Sequence, residues 1–554
     1  MRATRRRILT AAGWALAAPA LSRRVAAAEP LYPRFVPLDV EGLYRKRLRF
    51  AAGEPRVSIG LARGRSRLAL SADRPLRLLF EEGGLPKRVF VDRPVILEPE
   101  VQAPGRARHW VDVEKVGYRD VEAATAAAAI WKKKGFEPRV AVRGVVVALA
   151  GNVLDTRERR VLVGGFEDPA EAEALRQRLF RDEGRSASIE AEPVELPSGK
   201  VRIRSEADGA TLHVATGALT VSPARGHAVR AGDLGQYAGH LYALVDRDEG
   251  LTLVNSVGVE RMLEGLVPAE IFAHAPAEAL KAQAVTARGA VFAKLAHRHF
   301  DDPFFLCAQQ HCQVYAGVDR EHPATSAAVQ ATRGLLLVRP REGDAPLDLV
   351  ASVYSSTCGG HSENAEVVWD RAPSVSLRGR LDGPARDPAL ADFASGLDES
   401  NIRAWVESYP PTYEAKSTFV RADKYRWRVT YTKSEIDGLV ASLGVGAVKQ
   451  LEVLGRGPGG RVTGVRVHGA RGTADVLREL PVRRRFGNLN SGMFVVDHVR
   501  DASGELERVE FIGGGWGHGV GMCQIGAIGR AEAGQDFETI LAHYYGGARV
   551  ERLY

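Results

Sequence analysis

The segment from Leu251 to Arg288 reads LTLVNSVGVERMLEGLVPAEIFAHAPAEALKAQAVTAR and contains the pattern that decides the fold. Its first part is an apolar, strand-like run, and its last part opens a long amphipathic helix that we predict from about Pro276 to Arg298. Apolar residues recur there at helical spacing, which predicts a buried stripe made of Leu280, Ala284, Ala287, Val291 and Leu295.

One acid and two cations stand out around the start of this helix. Glu270 lies just before Pro276, where the chain enters the helix. Lys281 and Arg288 are seven residues apart, which is nearly two helical turns, so both side chains leave the helix on the same face, next to the apolar stripe. We therefore expect them to lie near the Glu270 carboxyl group. In the alternative interpretation Glu270 is a helix-entry or salt-bridge residue, and the two cations form an ordinary solvated face.

Three later blocks are rich in glycine and small polar residues. They are CQVYAG (residues 312–317), VYSSTCGGHSE (353–363, with Trp369 behind it) and GGGWGHGVGMCQIGA (513–527). Glycine lets a backbone approach a ligand closely, although tight-turn packing explains the same glycines. Polar groups suited to sugar hydroxyl and N-acetyl groups are supplied by Tyr354, Ser355, His518 and Gln524.

Taken in this order, the four blocks resemble the SpoIID/LytB family, which comprises stage II sporulation protein D and the amidase enhancer LytB. The resemblance covers about residues 200–554. It implies that Glu270, in the motif Pro268-Ala269-Glu270, is a catalytic acid and that Lys281 and Arg288 lie in the substrate cleft. Ile271-Phe272 stands where the family commonly has Met-Pro, so the local turn departs from the family pattern.

The resemblance implies a lytic transglycosylase that cuts peptidoglycan glycan strands. Ordinary glycosidases need two carboxyl groups, whereas this reaction uses the muramic acid's own primary hydroxyl as nucleophile. One glutamate can then protonate the leaving oxygen and later accept the hydroxyl proton. We expect Lys281 and Arg288 to bind the free lactyl carboxylates of strands without stem peptides. No cofactor is required for this chemistry.

Two other classes of function fit the same sequence. One is a non-catalytic wall-binding protein that stimulates a separate N-acetylmuramoyl-L-alanine amidase, and the other is a structural tether in the envelope. The presence of Glu270 favours the enzyme, because a pure binding protein does not need an acid at this place.

Cys307 and Cys312 lie five residues apart near several histidines. Some SpoIID proteins bind zinc through one histidine and two cysteines in this region, and His299 with these two cysteines is the nearest match. A local disulfide or free thiols remain open, because the spacing is not that of a standard zinc finger. Four cysteines in all exclude a disulfide-dense scaffold. Cys358 and Cys523 lie in two of the blocks and could pair.

Residues 105–196 predict a separate small unit with the order strand, helix, strand, strand, helix, strand. Its first helix is predicted from Asp120 to Lys134, closed by Gly135. VLVGGF (residues 161–166) followed by EAEALRQRL (171–179) resembles a SPOR domain, a family that binds glycan strands stripped of stem peptides. Ferredoxin-like units share the same order of elements.

The N-terminus predicts export. Residues 1–28 contain six arginines, no acidic residue and a short apolar run, which is typical of a twin-arginine-like signal peptide; a disordered basic tail is the alternative. These arginines supply six of the eight formal excess positive charges, so the basic balance does not indicate nucleic-acid binding. No later run is long enough for a transmembrane anchor. We therefore expect a periplasmic or cell-envelope protein.

The sequence as a whole predicts an α+β, multidomain protein. A linker (29–52) follows the signal peptide, and a β-rich part of the SpoIID region (53–104) precedes the SPOR-like unit. The SpoIID/LytB domain, with many short strands and one long helix, then occupies residues 197–554.

Overall fold

The computed structural model describes residues 40–51, 53–149, 151–183, 185, 187–224, 226–339, 346–369 and 373–554. The predicted signal peptide and the predicted linker up to residue 39 lie outside these ranges. Within them, helices combine with seven sheets in an α+β architecture, as the sequence predicts. No helix in the described ranges is both long enough and apolar enough to cross a membrane.

A thirteen-stranded sheet is the largest layer, and it joins segments that are far apart in the sequence. Its main path runs through Arg49–Ala51, Glu54–Arg65, Leu251–Gly258, His240–Val245, Thr211–Ser222, Ser198–Ser205, Val95–Ala103, Leu68–Ser71, Val229–Ala231 and Gln236–Tyr237. Off this path lie Leu76–Glu82, Leu85–Val91 and Leu306–Cys307. All pairs are antiparallel except that of Leu306–Cys307 with Glu54–Arg65. The strands predicted between residues 56 and 100 therefore share one sheet with the opening strand of the deciding segment.

Residues 106–195, here called the insert, leave and re-enter this sheet at one point. Val95–Ala103 pairs with Ser198–Ser205, and Ala103 lies opposite Ser198. The insert has its own four-stranded sheet in the order Ser188–Glu195, Arg106–Gly117, Glu158–Phe166 and Arg139–Arg143. Helices Val121–Lys133 and Pro169–Glu183 cover one face around a core of Val111, Val113, Trp131, Val161, Val163, Ala172, Leu175 and Leu179. Asp120 caps the first helix by accepting the Ala123 N–H at 3.0 Å.

A hairpin within the insert packs against the rest of the protein. Its strands, Val146–Leu149 and Asn152–Asp155, are here called the docking hairpin. Three of its side chains, Val147, Leu149 and Leu154, belong to the core beneath the large sheet. The Val153 carbonyl accepts the Leu347 N–H at 2.8 Å. The sequence predicts a strand at about Val145–Ala150 but none at Asn152–Asp155, because that segment has only two apolar residues between two polar ones.

The long helix predicted near Pro276 extends over Ala277–Lys294, here called the central helix. All five apolar residues of the predicted stripe are at most 1% exposed. The helix is nevertheless buried on nearly all sides, because Ala282 and Val285 on another face join a second core with Leu337, Val350 and Met522. It therefore lies between two hydrophobic cores and is not a surface amphipathic helix.

The chain beyond the central helix forms small sheets and short helices around it. The further strands are Leu335–Arg339, Asp348–Leu349, Tyr354–Ser355, Arg426–Thr432, Val448–Arg456, Val462–Gly469, Gly472–Leu477, Phe494–Arg500, Leu506–Gly514, Met522–Cys523 and Arg549–Arg552. The α-helices of this part are Pro323–Ala331, Ala365–Val368, Ile402–Glu407, Tyr413–Lys416, Ala422–Tyr425, Lys433–Val440, Glu479–Arg485, Gln524–Glu532 and Phe537–Tyr544, whereas Val40–Tyr44 and Val259–Glu270 precede the central helix. Tyr354–Ser355 and Met522–Cys523, from the third and fourth sequence blocks, pair in parallel.

The docking hairpin gives the first prediction. Leu154→Ala should lower the free energy of unfolding by about 2–5 kcal/mol, because it leaves a cavity in the core beneath the large sheet. Val153→Ala is the matched control, since its side chain is 40% exposed whereas that of Leu154 is fully buried. Denaturant titration of both variants measures the difference. Equal, small effects would show that the hairpin is not part of that core.

Candidate active site

Glu270 is the last residue of the helix Val259–Glu270. The chain then turns sharply, because Ile271 has an extended backbone with φ −134° and ψ 157°. Ile271 points into the core at 7% exposure, whereas Phe272 is 44% exposed. The departure from the common Met-Pro pair is thus accommodated by one buried and one exposed apolar side chain, and Glu270 remains half-buried at the turn.

All four sequence blocks meet at Glu270. The second block supplies the Val314 N–H, which donates to Glu270 Oε1 at 3.1 Å. The Tyr354 hydroxyl, from the third block, lies close enough to the same carboxyl group to favour its charged form and so to lower its pKa. Gln524, from the fourth block, donates from Nε2 to the Glu270 backbone carbonyl at 2.7 Å and to Gln283 Oε1 at 3.1 Å. Glu270 is therefore the point at which the separated blocks converge.

Burial dominates the electrostatics of Glu270. It raises the pKa of the carboxyl group, because the charged form loses hydration. The Val314 N–H, the Tyr354 hydroxyl and, at longer range, the Lys294 ammonium favour the charged form and offset part of this effect. Burial also lowers the pKa of Lys294 to about 8. The site thus combines a carboxyl group that holds its proton more strongly than usual with an amine that releases one more easily.

Arg288 lies elsewhere, and this corrects the expectation that it binds substrate. Its side chain has no exposed surface and forms a bidentate ion pair with Glu260 at 2.9 and 2.7 Å. A further bond, of 3.1 Å, runs to the Leu335 carbonyl. The sequence spacing places Arg288 correctly on its helix face, but it does not reveal that a second core covers this part of the helix.

Lys281 is likewise held away from Glu270. Its ammonium lies 2.7 Å from Glu278 Oε1 and 5.9 Å from the centre of the Phe537 ring. Glu278 in turn accepts the Phe537 N–H at 2.9 Å. The prediction that Lys281 and Arg288 surround the Glu270 carboxyl group is therefore wrong. The cation that acts on Glu270 is Lys294, which the sequence analysis missed although it lies on the same helix.

Ser355 and His518 hold the backbone of the third and fourth blocks next to Tyr354. Ser355 Oγ accepts the Gly519 N–H at 3.2 Å. His518 Nδ1 accepts the Val520 N–H at 3.0 Å, and its ring lies 4.9 Å from that of Trp369. The Tyr354 backbone lies close enough to the imidazole to favour its charged form and so to offset part of the effect of burial on the His518 pKa. Burial lowers the pKa of His518 to about 3, so the ring is neutral and serves as a hydrogen-bonding spacer.

Two glycines of the fourth block are required by packing. Gly519 and Gly521 have φ values of 70° and 68°, which favour glycine. A Cβ on Gly519 would lie 2.1 Å from the Arg461 guanidinium, and one on Gly521 would lie 2.2 Å from the Val353 carbonyl oxygen. At these positions the tight-turn interpretation applies, and the close approach is to the protein itself.

A thiol–imidazole cluster lies beside the site. It contains the predicted His299, Cys307 and Cys312 and adds His311 as a fourth donor, all with ligand atoms within 4.8 Å of one another. His299 Nε2 is 3.3 Å from Cys312 Sγ, and His311 Nδ1 is 3.7 and 3.8 Å from the two sulfurs. Tetrahedral zinc, with bonds of about 2.3 Å to sulfur and about 2.0 Å to nitrogen, has ligand–ligand separations of about 3.3–3.8 Å. The donors therefore fit zinc in type and spacing.

The surroundings of this cluster connect it to Glu270. Asp302 Oδ2 lies 3.0 Å from His299 Nδ1, the arrangement that orients a metal-binding imidazole. Lys294 donates to the Cys312 carbonyl. Two residues later the chain presents the Val314 N–H to Glu270. A cross-link between Cys307 and Cys312 would therefore also fix the position of the Val314 N–H, which donates to Glu270.

Comparison with known proteins places the site in context. Residues 247–338 match the family model for Stage II sporulation protein, and residues 363–521 match a model described as a domain of unknown function (DUF8618). The first match contains Glu270, the central helix and the thiol–imidazole cluster. Tyr354 and Gln524, which complete the surroundings of Glu270, lie outside both matched segments.

Three relatives share the same level of identity. Stage II sporulation protein D of Bacillus subtilis (strain 168) is 26% identical over 54% of this chain and 75% of its own length. An uncharacterized protein of Brachyspira hyodysenteriae is 26% identical over 57% of this chain and 72% of its own length. The amidase enhancer of Bacillus subtilis (strain 168) is 26% identical over 52% of this chain, but the match spans only 40% of that relative. The chain thus contains a segment that matches the Stage II sporulation protein model, is similar to relatives named Stage II sporulation protein D and amidase enhancer, and assembles its four sequence blocks around one carboxyl group.

Proposed function

We propose that this protein is a lytic transglycosylase that cleaves the bond from N-acetylmuramic acid to N-acetylglucosamine in glycan strands and leaves anhydro-muramic ends. The similarity to the SpoIID/LytB family supports a peptidoglycan-related role. The observation that supports the catalytic assignment is Glu270 itself, a carboxyl group whose pKa burial raises and on which all four sequence blocks converge.

The surroundings of Glu270 suit a single acid–base group. The carboxyl group must begin protonated to give a proton to the leaving oxygen, and burial without a contacting cation favours that state. Attack by the substrate's own hydroxyl needs only one carboxyl group, which is the arrangement proposed for Glu270. A hydrolase would need a second carboxyl group about 5–9.5 Å away across the sugar ring.

Substrate binding is assigned differently from the expectation based on sequence. With Lys281 and Arg288 engaged in ion pairs, Lys294 is the cation near Glu270 that could meet a lactyl carboxylate of a denuded strand. Phe272, at 44% exposure beside Glu270, and Trp516, at 41% exposure in the fourth block, offer rings on which sugars could stack. Tyr354, beside the Glu270 carboxyl group, and Gln524, bonded to the Glu270 backbone carbonyl, remain proposed substrate-binding groups.

A zinc ion would act as a structural cross-link here. We infer that His299, Cys307, His311 and Cys312 hold Zn²⁺, which fixes the loop carrying the Val314 N–H and takes no part in the bond cleavage. A disulfide between Cys307 and Cys312 is the competing arrangement. That disulfide would leave the imidazoles of His299 and His311 without a metal to bind.

The remaining assignments concern location and partners. The signal-like residues 1–28 support export to the periplasm or cell envelope. The similarity to an amidase enhancer supports the second candidate function, a non-catalytic protein that binds the wall and stimulates an amidase. Assaying a purified amidase on sacculi with and without this protein distinguishes the two: stimulation without anhydro-muramic products favours the enhancer.

The catalytic assignment predicts the effect of Glu270→Gln. The substitution keeps the shape but removes the ionisable proton, so cleavage of denuded glycan should fall by about a hundredfold or more while binding survives. Glu278→Gln is the matched control, because Glu278 lies on the neighbouring helix and is paired with Lys281. Mass spectrometry of anhydro-muramic products measures the rate. Cleavage at the wild-type rate by the Glu270→Gln protein would refute the assignment.

Tyr354 should lower the pKa of the Glu270 carboxyl group. Its hydroxyl favours the charged form of Glu270, so Tyr354→Phe should raise the pKa of that carboxyl group further. Because the protonated form is the active one, the loss of activity with rising pH should then occur at a higher pH than in the wild type. Profiles of kcat/KM against pH measure this shift. An unchanged or lower midpoint would contradict the acid role.

The insert is proposed to bind glycan strands, as its resemblance to SPOR domains implies. A fragment of about residues 105–196 should be retained on denuded sacculi and much less on intact, peptide-bearing ones. Cutting this fragment out of the chain exposes three apolar side chains of the docking hairpin, which could adhere to sacculi non-specifically. The fragment therefore carries the substitutions Val147→Thr, Leu149→Thr and Leu154→Gln. A co-sedimentation assay compares the two kinds of sacculi. Equal retention on both, or none, would exclude the SPOR-like role.

A further inference from the structure

A second cluster of potential metal ligands lies in the interior, apart from the thiol–imidazole cluster. Cys358, Asp382, Glu414 and Cys523 come from four separate segments and are each at most 1% exposed. Their ligand atoms all lie within 4.8 Å of one another. Here they are called the buried thiol–carboxylate cluster. Two of them belong to the third and fourth sequence blocks, but the site proposed above uses neither.

Each carboxylate of this cluster keeps one oxygen bonded and leaves the other without a partner. Asp382 Oδ1 accepts hydrogen bonds from Arg530 Nε at 2.8 Å and from the Tyr544 hydroxyl at 2.9 Å. Asp382 Oδ2 is buried and has no hydrogen-bond partner. Glu414 Oε2 accepts the Gly360 N–H at 2.9 Å, whereas Glu414 Oε1 has no partner. Two such atoms that face one cluster of potential metal ligands need a physical explanation, and a bound ion would supply one.

The two sulfurs lie against the same carboxylate. Cys358 Sγ is 3.1 Å and Cys523 Sγ is 3.5 Å from Glu414 Oε2. A tetrahedral zinc ion with bonds of about 2.3 Å to sulfur and about 2.0 Å to oxygen separates these ligands by about 3.5 Å. Arg530 and Tyr544 hold Asp382 as outer partners commonly hold a metal-binding carboxylate. Spacing and orientation thus both suit a metal ion.

The charge of the cluster points the same way. Two buried carboxyl groups face one guanidinium in direct contact, that of Arg530. Burial raises the pKa of Glu414 to about 7 and that of Cys523 to about 11. The guanidinium compensates the charge of Asp382, whereas Glu414 has no ion-pair partner among the described residues and lacks such compensation. A divalent cation would supply that compensation.

We propose that Cys358, Cys523, Asp382 and Glu414 form a second metal site that binds Zn²⁺. The two thiols lose their protons to solvent when they bind, and the resulting thiolates and two carboxylate oxygens complete four-fold coordination. A disulfide between Cys358 and Cys523 is less favourable, because it would leave both buried carboxylates without a ligand for their free oxygens.

The ion would clamp the strands that present Tyr354 and Gln524 to Glu270. Cys358 follows the strand Tyr354–Ser355, and Cys523 ends the strand Met522–Cys523, which pairs with it. Gln524 comes directly after Cys523. The metal acts through position, and it touches neither Glu270 nor substrate. Its presence does not depend on the proposed transglycosylase activity and can be tested without an activity assay.

The test is metal binding by the full chain. Removing the first cluster with Cys307→Ser/Cys312→Ser should leave a protein that binds one Co²⁺, used as a spectroscopic probe for Zn²⁺, with a thiolate-to-cobalt charge-transfer band. In the otherwise wild-type chain, Glu414→Gln should weaken binding at one site at least tenfold. Glu407→Gln, at an exposed glutamate, should leave the metal content unchanged.

Two results would overturn the proposal. One is a Cys307→Ser/Cys312→Ser protein that is folded by circular dichroism but binds no cobalt through thiolates. The other is a Cys358–Cys523 disulfide found by mass spectrometry of the purified chain. If the double variant does not fold, the comparison of Glu414→Gln with Glu407→Gln in the wild-type background decides, because equal metal content in the two proteins excludes the site.

Discussion

The buried ion pair between Arg288 and Glu260 fixes the two helices on which the site depends. Arg288 comes from the central helix, and Glu260 comes from the first turn of the helix that ends at Glu270. The Tyr554 hydroxyl, at 2.7 Å, completes the environment of the carboxylate. Removing one partner of such a pair typically costs about 3–5 kcal/mol, because the other charge is left uncompensated in the interior. The pair therefore serves to position Glu270.

The same arrangement keeps the Lys281 and Arg288 cations in ion pairs with other carboxylates, away from the Glu270 carboxyl group. Among the described residues, the Glu270 carboxyl group accepts the Val314 N–H and lies close to the Tyr354 hydroxyl. An acid catalyst that must begin protonated gains from this arrangement, since a contacting guanidinium would lower its pKa. Two cysteine-containing clusters lie next to the segments that contact Glu270. The thiol–imidazole cluster adjoins the loop of Val314, and the buried thiol–carboxylate cluster adjoins the paired strands next to Tyr354 and Gln524.

Much of this could be predicted from the sequence. The 3.6-residue periodicity identifies the central helix, and the alternating pattern identifies the strands before and after the insert. The four ordered blocks predict a shared site, and Pro276 places Glu270 just before the central helix. The helix that ends at Glu270 is not predicted. The predicted features depend on local pattern and on chain order, which a single sequence contains.

The errors have a common physical cause. Arg288, the docking hairpin and the fourth donor His311 are decided by which distant segment covers them, and periodicity carries no such information. Arg288 looks like a solvent-facing cation until the second core is placed over its helix face. The unpartnered oxygens of Asp382 and Glu414 likewise emerge only when four segments meet. Tertiary contact, not residue type, distinguishes the carboxylate of the Arg288–Glu260 ion pair from the carboxyl group of Glu270.

The most direct test of the central claim is digestion of denuded glycan strands in ¹⁸O-labelled water, followed by mass spectrometry of the new chain ends. If Glu270 directs attack by the substrate's own hydroxyl, the ends will be anhydro-muramic and will contain no label. Reducing ends that carry the heavy oxygen would identify a hydrolase, and the absence of any cleavage would identify a binding protein. Either result would contradict the account.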